Sequence, residues 1–163
     1  MAIKRWPQAP AVSVKFLVKA PRSERQESRV HPHFIHADEV TYRVIAAAIE
    51  VHRDKGPGLM EAIYEWCLLC ELQLRGLSAI NQQTIDIHYK SFVRRESLRL
   101  DVLVEGCVMV EIKAVERILP VHKAQLLSYM KLLDVPLGVL INFNSPKVTE
   151  GISRLILDGA DRD

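Results

Sequence analysis

The chain has 163 residues, 48% of them apolar and 26% charged, with a formal net charge of +2. That balance belongs to a globular protein and excludes wholesale disorder, a collagen-like repeat and a disulfide framework. A chain of this length buries roughly 68–70% of its unfolded surface, enough for one compact core without disulfides or a structural metal.

The charge is unevenly placed. Residues 1–35 hold seven Lys or Arg against two Glu, and the remainder holds fifteen basic against eighteen acidic residues, so the body is mildly acidic. A broad basic surface for duplex DNA, whose affinity comes mainly from phosphate neutralisation, is therefore excluded. Any nucleic-acid contact is local, assisted by the extension, or mediated by a metal ion that offsets carboxylates in one cleft. Cys67, Cys70 and Cys107 form an odd, sparse set that suits a reducing, cytoplasmic setting. No apolar run approaches the roughly 18 residues a membrane helix needs.

Residues 1–35 contain Pro7, Pro10, Pro21 and Pro32 and read as a flexible basic extension, with only Val12 to Val18 strand-like. Glu24, Glu27 and Lys15 speak against a targeting signal. His31, His33 and His36 lack Cys or carboxylate partners and read as a solvated linker, not a metal tract. The folded domain is expected over residues 36–163.

Asp38 is the expected N-cap of a first helix, in which Val40, Val44, Ile45, Ala48 and Val51 recur at helical steps. It stops at Lys55-Gly56-Pro57-Gly58. A second helix runs from about Leu59 to Arg75, with Gly76 supplying a left-handed cap. Its Cys67 and Cys70 sit mid-helix among Trp66, Leu68 and Leu69, without a second pair downstream, and read as buried small side chains.

The period then changes to two over Thr84 to Tyr89, followed by strand-like runs Leu98 to Val104 and Cys107 to Lys113. Pro120 opens a helix over Val121 to Leu133, and Pro136 to Phe143 is a continuous apolar strand of the buried kind. Ile152 to Leu157 ends the chain as a short helix or an edge strand. The order describes an α/β sandwich.

The loop length at Glu105-Gly106 decides which side chains share a face. A two-residue loop would put Glu111 and Lys113 on the face of Leu100, Val102 and Val104. With one more residue, and Gly106 left-handed, 104 pairs with 108 and 101 with 111. Leu100, Val102, Val104, Val108, Val110 and Ile112 then form one apolar face, while Arg99, Asp101, Leu103, Met109, Glu111 and Lys113 form the other. Burial selects this register. Asp101 and Glu111 come within about 4.5–5.5 Å at Cβ, with Lys113 one step along. Such carboxylates repel unless a cation lies between them, and hard oxygen ligands suit Mg²⁺ or Mn²⁺. The other reading of the same pattern is a surface cross-strand ion network.

Asp101, nine residues, then Glu111-Ile112-Lys113 resembles the D…(D/E)-x-K core of the PD-(D/E)XK nuclease superfamily. Gly58-Leu59-Met60-Glu61-Ala62-Ile63-Tyr64 resembles the signature of the GxxExxY proteins, a group placed in that superfamily. The likeness continues through Leu119 to Tyr129 and Leu140 to Asn144 and spans about His36 to Leu157. It implies a restriction-endonuclease-like α/β core, a mixed central sheet flanked by helices. It also implies that Asp101, Glu111 and the Ile112 carbonyl are metal ligands, that Glu61 completes the site, and that Lys113 is the catalytic lysine. Leu100 stands where the motif's proline usually precedes the aspartate.

Phosphodiester hydrolysis needs an activated water and relief of developing negative charge, which a carboxylate-bound Mg²⁺ and a lysine can provide. On the helix after Pro120, His122, Gln125 and Tyr129 share a stripe. In the family reading this stripe faces the hairpin and Gln125 bonds the water or a phosphate oxygen, whereas His122 reads as a cap and Tyr129 as packing. Tyr64 reads as fixing its helix to the sheet. The expectation is a Mg²⁺-dependent nuclease acting on nucleic acid, DNA ahead of RNA, with a homodimer or protein partner helping to hold the substrate. The alternative is a noncatalytic scaffold that binds nucleic acid or protein.

Overall fold

The computed structural model describes residues 30–161. Most of the basic extension, including the strand-like Val12 to Val18, lies outside them. Helix α1 (Phe34–Lys55) and helix α2 (Glu61–Leu74) precede a ribbon of β1 (Ala79–Tyr89) and β2 (Phe92–Val104). Then follow β3 (Val108–Lys113), α3 (Pro120–Leu133), β4 (Leu137–Asn142), a short 3-10 turn at Val148–Gly151 and β5 (Ile152–Ile156). No helix among the described residues is long and apolar enough to cross a membrane.

The strands form one mixed sheet in the order β1-β2-β3-β4-β5, with β3 and β4 parallel and the other neighbours antiparallel. The helical crossover α3 makes that parallel pair possible. Helices α1 and α2 cover one face, where Val40, Val44, Leu68 and Leu72 pack with Val102, Val110, Ile112, Val139 and Ile141. Helix α3 covers the other, where Leu126, Met130 and Leu133 meet Leu103, Met109 and Leu140. Both faces of β3 and β4 are thus buried, which is why these strands read as unbroken apolar runs.

Helix α1 starts at Phe34 behind His33, not at an Asp38 cap. Asp38 lies a turn inside the helix and its carboxylate binds Arg154 of β5, so tertiary pairing replaces the capping role. The C-terminal segment is the edge strand of the two alternatives. Gly76 is left-handed at φ +69°, as its position required.

The β2–β3 turn adopts the longer loop. Val104 pairs with Val108 and Val102 with Val110, and both Glu105 and Gly106 take positive φ. One detail departs from the regular ribbon. Between Ile80↔Leu103 and Gln82↔Arg99, two steps on β1 oppose four on β2, a bulge centred on Leu100 and Asp101. Leu100 is thereby moved off the face of Val102 and Val104 and joins Leu103 and Met109 under α3. The simple alternation failed there because a bulge resets the parity of every residue beyond it.

Candidate active site

The site lies at the end of central strand β3, where the sequence turns from apolar to charged. Backbone pairing with β2 ends at Val102↔Val110, so Asp101 and Glu111 are not a ladder pair. Instead, the Ile112 backbone N–H donates to Asp101 Oδ2 at 2.7 Å. The bulge withdraws the β2 backbone, and the carboxylate takes its place as acceptor for a backbone group that is otherwise buried.

Glu111 is only 7% exposed, so the surface ion network is excluded as an account of this residue. Lys113 Nζ donates to Glu111 Oε1 at 2.5 Å. Burial pushes the Glu111 carboxyl up, the Lys113 hydrogen bond pulls it back, and the charges of Asp101 and Glu61 add to the rise. Burial lowers Lys113, but its bond to Glu111 and the fields of Glu111, Asp101 and Glu61 outweigh that and raise it. The amine is held as a cation by three carboxylates.

Glu61 reaches the site from the first residue of α2, where Oε1 accepts from the Ala114 N–H at 3.0 Å. Its position depends on the turn before the helix. Tyr64 is fully buried and stacks on Phe143 with ring centroids 4.4 Å apart. Its hydroxyl donates to the Gly56 carbonyl at 2.6 Å and accepts from the Leu59 N–H at 3.1 Å. Tyr64 thus fixes the helix to the sheet and ties the turn that delivers Glu61.

Helix α3 divides the expected stripe. His122 Nδ1 accepts from the Leu119 N–H at 3.2 Å, a cap on the helix start. Tyr129 is partly buried against the α3 cluster, and Gln125 is exposed on the helix surface. Cys67 and Cys107 are buried and all three thiols are free, with burial raising each of them.

Asn142, to which the sequence motifs assign no role, organises the segment after Lys113. It is 4% exposed and lies opposite Lys113 in the β3–β4 pair. Its amide donates to the Val115 carbonyl at 2.8 Å, and its Oδ1 accepts from Val115 N–H at 3.1 Å and Asn144 N–H at 3.3 Å. The signal for it is a single amide at the end of an otherwise apolar buried strand.

Carboxylate oxygens beside one amine are donor types that suit a hard divalent cation. Asp101, Glu111 and Glu61 each use one oxygen in the bonds above, and the second makes no hydrogen bond to a described group. Among the described residues, no three His, Cys, Asp or Glu side chains form a group placed to hold a metal ion. The carboxylates are turned to the Ile112 and Ala114 N–H groups and to Lys113.

A mixed sheet between helices, with Asp101 and Glu111-Ile112-Lys113 at the centre, is the arrangement of a PD-(D/E)XK nuclease fold. The model of the PD-(D/E)XK nuclease superfamily matches residues 38–155, well over half of the chain, and the protein belongs to that superfamily. No curated protein matches the sequence. Among solved structures, one titled "Crystal structure of SSO0001" aligns with a TM-score of 0.45 and 16% identity over 83% of this chain and 69% of that one, too low to bear on fold or function.

Proposed function

We propose that the chain is a metal-dependent phosphodiesterase of the GxxExxY group that hydrolyses nucleic acid, DNA ahead of RNA. Superfamily membership supports the reaction class, and the Asp101, Glu111 and Lys113 assembly at the end of β3 is the observation that carries it. In this reading Asp101, Glu111 and the Ile112 carbonyl are the ligands of Mg²⁺ or Mn²⁺, and Glu61 completes the site. The bound ion supplies a water acidified toward neutral pH and charge relief on the phosphate oxygens.

The chain's own groups divide the remaining work. Lys113 orients or helps deprotonate the attacking water, or offsets the developing negative charge. Gln125, exposed on α3, bonds the water or a phosphate oxygen. Burial of Glu111 keeps bulk water from screening the Lys113 charge. The free thiols fit a reducing cytoplasm. A homodimer or a protein partner would enlarge the limited surface available to the substrate.

A noncatalytic scaffold is the second reading, favoured by the internal hydrogen bonds that already engage Asp101, Glu111 and Glu61. Mn²⁺ titration followed by calorimetry, together with hydrolysis of labelled DNA and RNA, separates the two. The nuclease reading expects Mn²⁺ binding and cleavage, both lost in Asp101→Asn with the fold intact, and cleavage lost in Lys113→Met. Binding of nucleic acid without any metal uptake would establish the scaffold instead.

A further inference from the structure

The β1–β2 ribbon is longer than the sheet requires. Since β2 runs antiparallel to β3, the stretch from Asp101 back toward Phe92 continues past the end of β3 at Lys113. Asp101 and Phe92 are nine steps apart along the strand, a span of about 30 Å at roughly 3.3 Å per residue. The ribbon therefore projects beyond the end of the sheet at which Glu111 and Lys113 stand.

Its tip has a composition unlike the rest of the body. Residues 88–95 read His-Tyr-Lys-Ser-Phe-Val-Arg-Arg, with three cations and no carboxylate, in a body that is otherwise acidic. Tyr89 and Phe92 are cross-strand partners, 67% and 72% exposed, and Val93 beside them is 60% exposed. Lys90 lies over the Tyr89 ring at 5.4 Å. Arg95 pairs with Asp86 and Arg94 with Glu96, but these are surface pairs of little energy that leave most guanidinium N–H groups available.

Register also gives the tip a direction. The pairs Tyr89↔Phe92, Ile87↔Arg94, Ile85↔Glu96 and Gln83↔Leu98 lie on one face of the ribbon, and Ile85 and Leu98 pack against the α3 cluster. That cluster includes Met109, two residues before Glu111 on the same strand, so the rings, Arg94 and Glu111 belong to the same side of the sheet.

We infer that the β1–β2 tip grips an unpaired nucleic-acid strand, with Tyr89 and Phe92 stacking on bases and Lys90 and Arg94 holding phosphates. Rings plus cations are the chemistry of single-strand recognition, because every base offers a π face and every nucleotide a phosphate. Stacking on rings is tolerant of sequence. The inference rests on the nucleolytic reading above and deepens it. The substrate would be a single strand or a splayed end that runs from the ribbon tip to the β3 terminus.

Fluorescence anisotropy on the full chain in EDTA tests this, with an end-labelled oligonucleotide offered as a single strand and as a duplex. Tyr89→Ala/Phe92→Ala should weaken single-strand binding by about ten-fold or more and duplex binding much less. Lys90→Gln/Arg94→Ala should weaken both and flatten the salt dependence of single-strand binding by about 1.4 in log–log slope. All four side chains are exposed, so unfolding midpoints should stay at the parent value.

Unchanged single-strand affinity in both variants overturns the inference. So does a parent dimer that the ring variant converts to monomer without loss of strand affinity, or binding to phosphatidylserine vesicles that the rings alone support. A chain that holds single strands through the tip but never cleaves with Mg²⁺ or Mn²⁺ refutes the nuclease reading only. One that cleaves while both tip variants bind normally refutes the tip only.

Discussion

The Asp101 carboxylate occupies the place of a β-ladder acceptor, taking the Ile112 N–H at 2.7 Å where the β2 backbone has bulged away. One side chain is thus both a strand-pairing group and a proposed metal ligand. The two roles separate by substitution. Asp101→Asn retains a carbonyl oxygen for the Ile112 N–H and should lose less than about 1 kcal/mol of stability, whereas Asp101→Ala strands that N–H and should lose about 1–3 kcal/mol. Urea unfolding curves check the order, and both variants should lose hydrolysis.

Lys113 and Glu111 form the most buried ion pair of the site, with side chains 15% and 9% exposed. Lys113→Met leaves Glu111 without its cation and should cost about 3 kcal/mol at pH 8. Glu111 already has a raised pKa from burial and neighbouring carboxylates, and losing the lysine raises it further. An acid whose folded pKa exceeds its unfolded value binds its proton more tightly in the native state. The deficit should therefore shrink as pH falls from that raised pKa toward the unfolded value of 4.5. Thermal melts of parent and variant at pH 8 and pH 5.5 measure the convergence.

The sequence made the order of elements and the hairpin register readable because burial on two faces leaves little freedom. A slip at Glu105-Gly106 would have driven Glu111 and Lys113 onto the face of Val102 and Val104. The bulge was not readable, because nothing in Arg99-Leu100-Asp101-Val102 differs from an ordinary alternating strand. Its consequence was a wrong face for Leu100 and a side-chain bond at Asp101 in place of a ladder pair. The start of α1 was misplaced for a related reason, since the tertiary partner of Asp38, Arg154, is more than a hundred residues away. Glu61 could be placed at the site through its motif resemblance, whereas Asn142 needed coordinates that show which loop its amide holds.

Cys107 is 1% exposed and its thiol is pushed up to about 11, by burial first and then by the Glu105 charge. The thiolate, the reactive form, is therefore scarce and shielded at pH 8. In the native protein Cys107 should resist iodoacetamide at pH 8, with Cys70, the most accessible of the three, labelled first. Peptide mass spectrometry after labelling in buffer and in urea checks this. Rapid native labelling of Cys107 would mean that the β2–β3 turn opens readily.

Tyr64 connects the hydrophobic core to the site through one hydroxyl. Its ring is locked against Phe143, so Tyr64→Phe keeps the stack and removes only the bonds to Gly56 and Leu59. The direct cost should be about 1–2 kcal/mol, since a half-buried carbonyl and amide lose their partner. The larger effect should be local. Glu61 begins two residues after Leu59, and without the hydroxyl the turn is free to open while the helix body stays docked through Leu68 and Leu72. Amide exchange should accelerate at Leu59 and at Ala114, whose N–H is held by Glu61, but not in the β3–β4 ladder. Equal acceleration in all of these places would show that Tyr64 acts only through global stability, and that the turn does not set the position of Glu61.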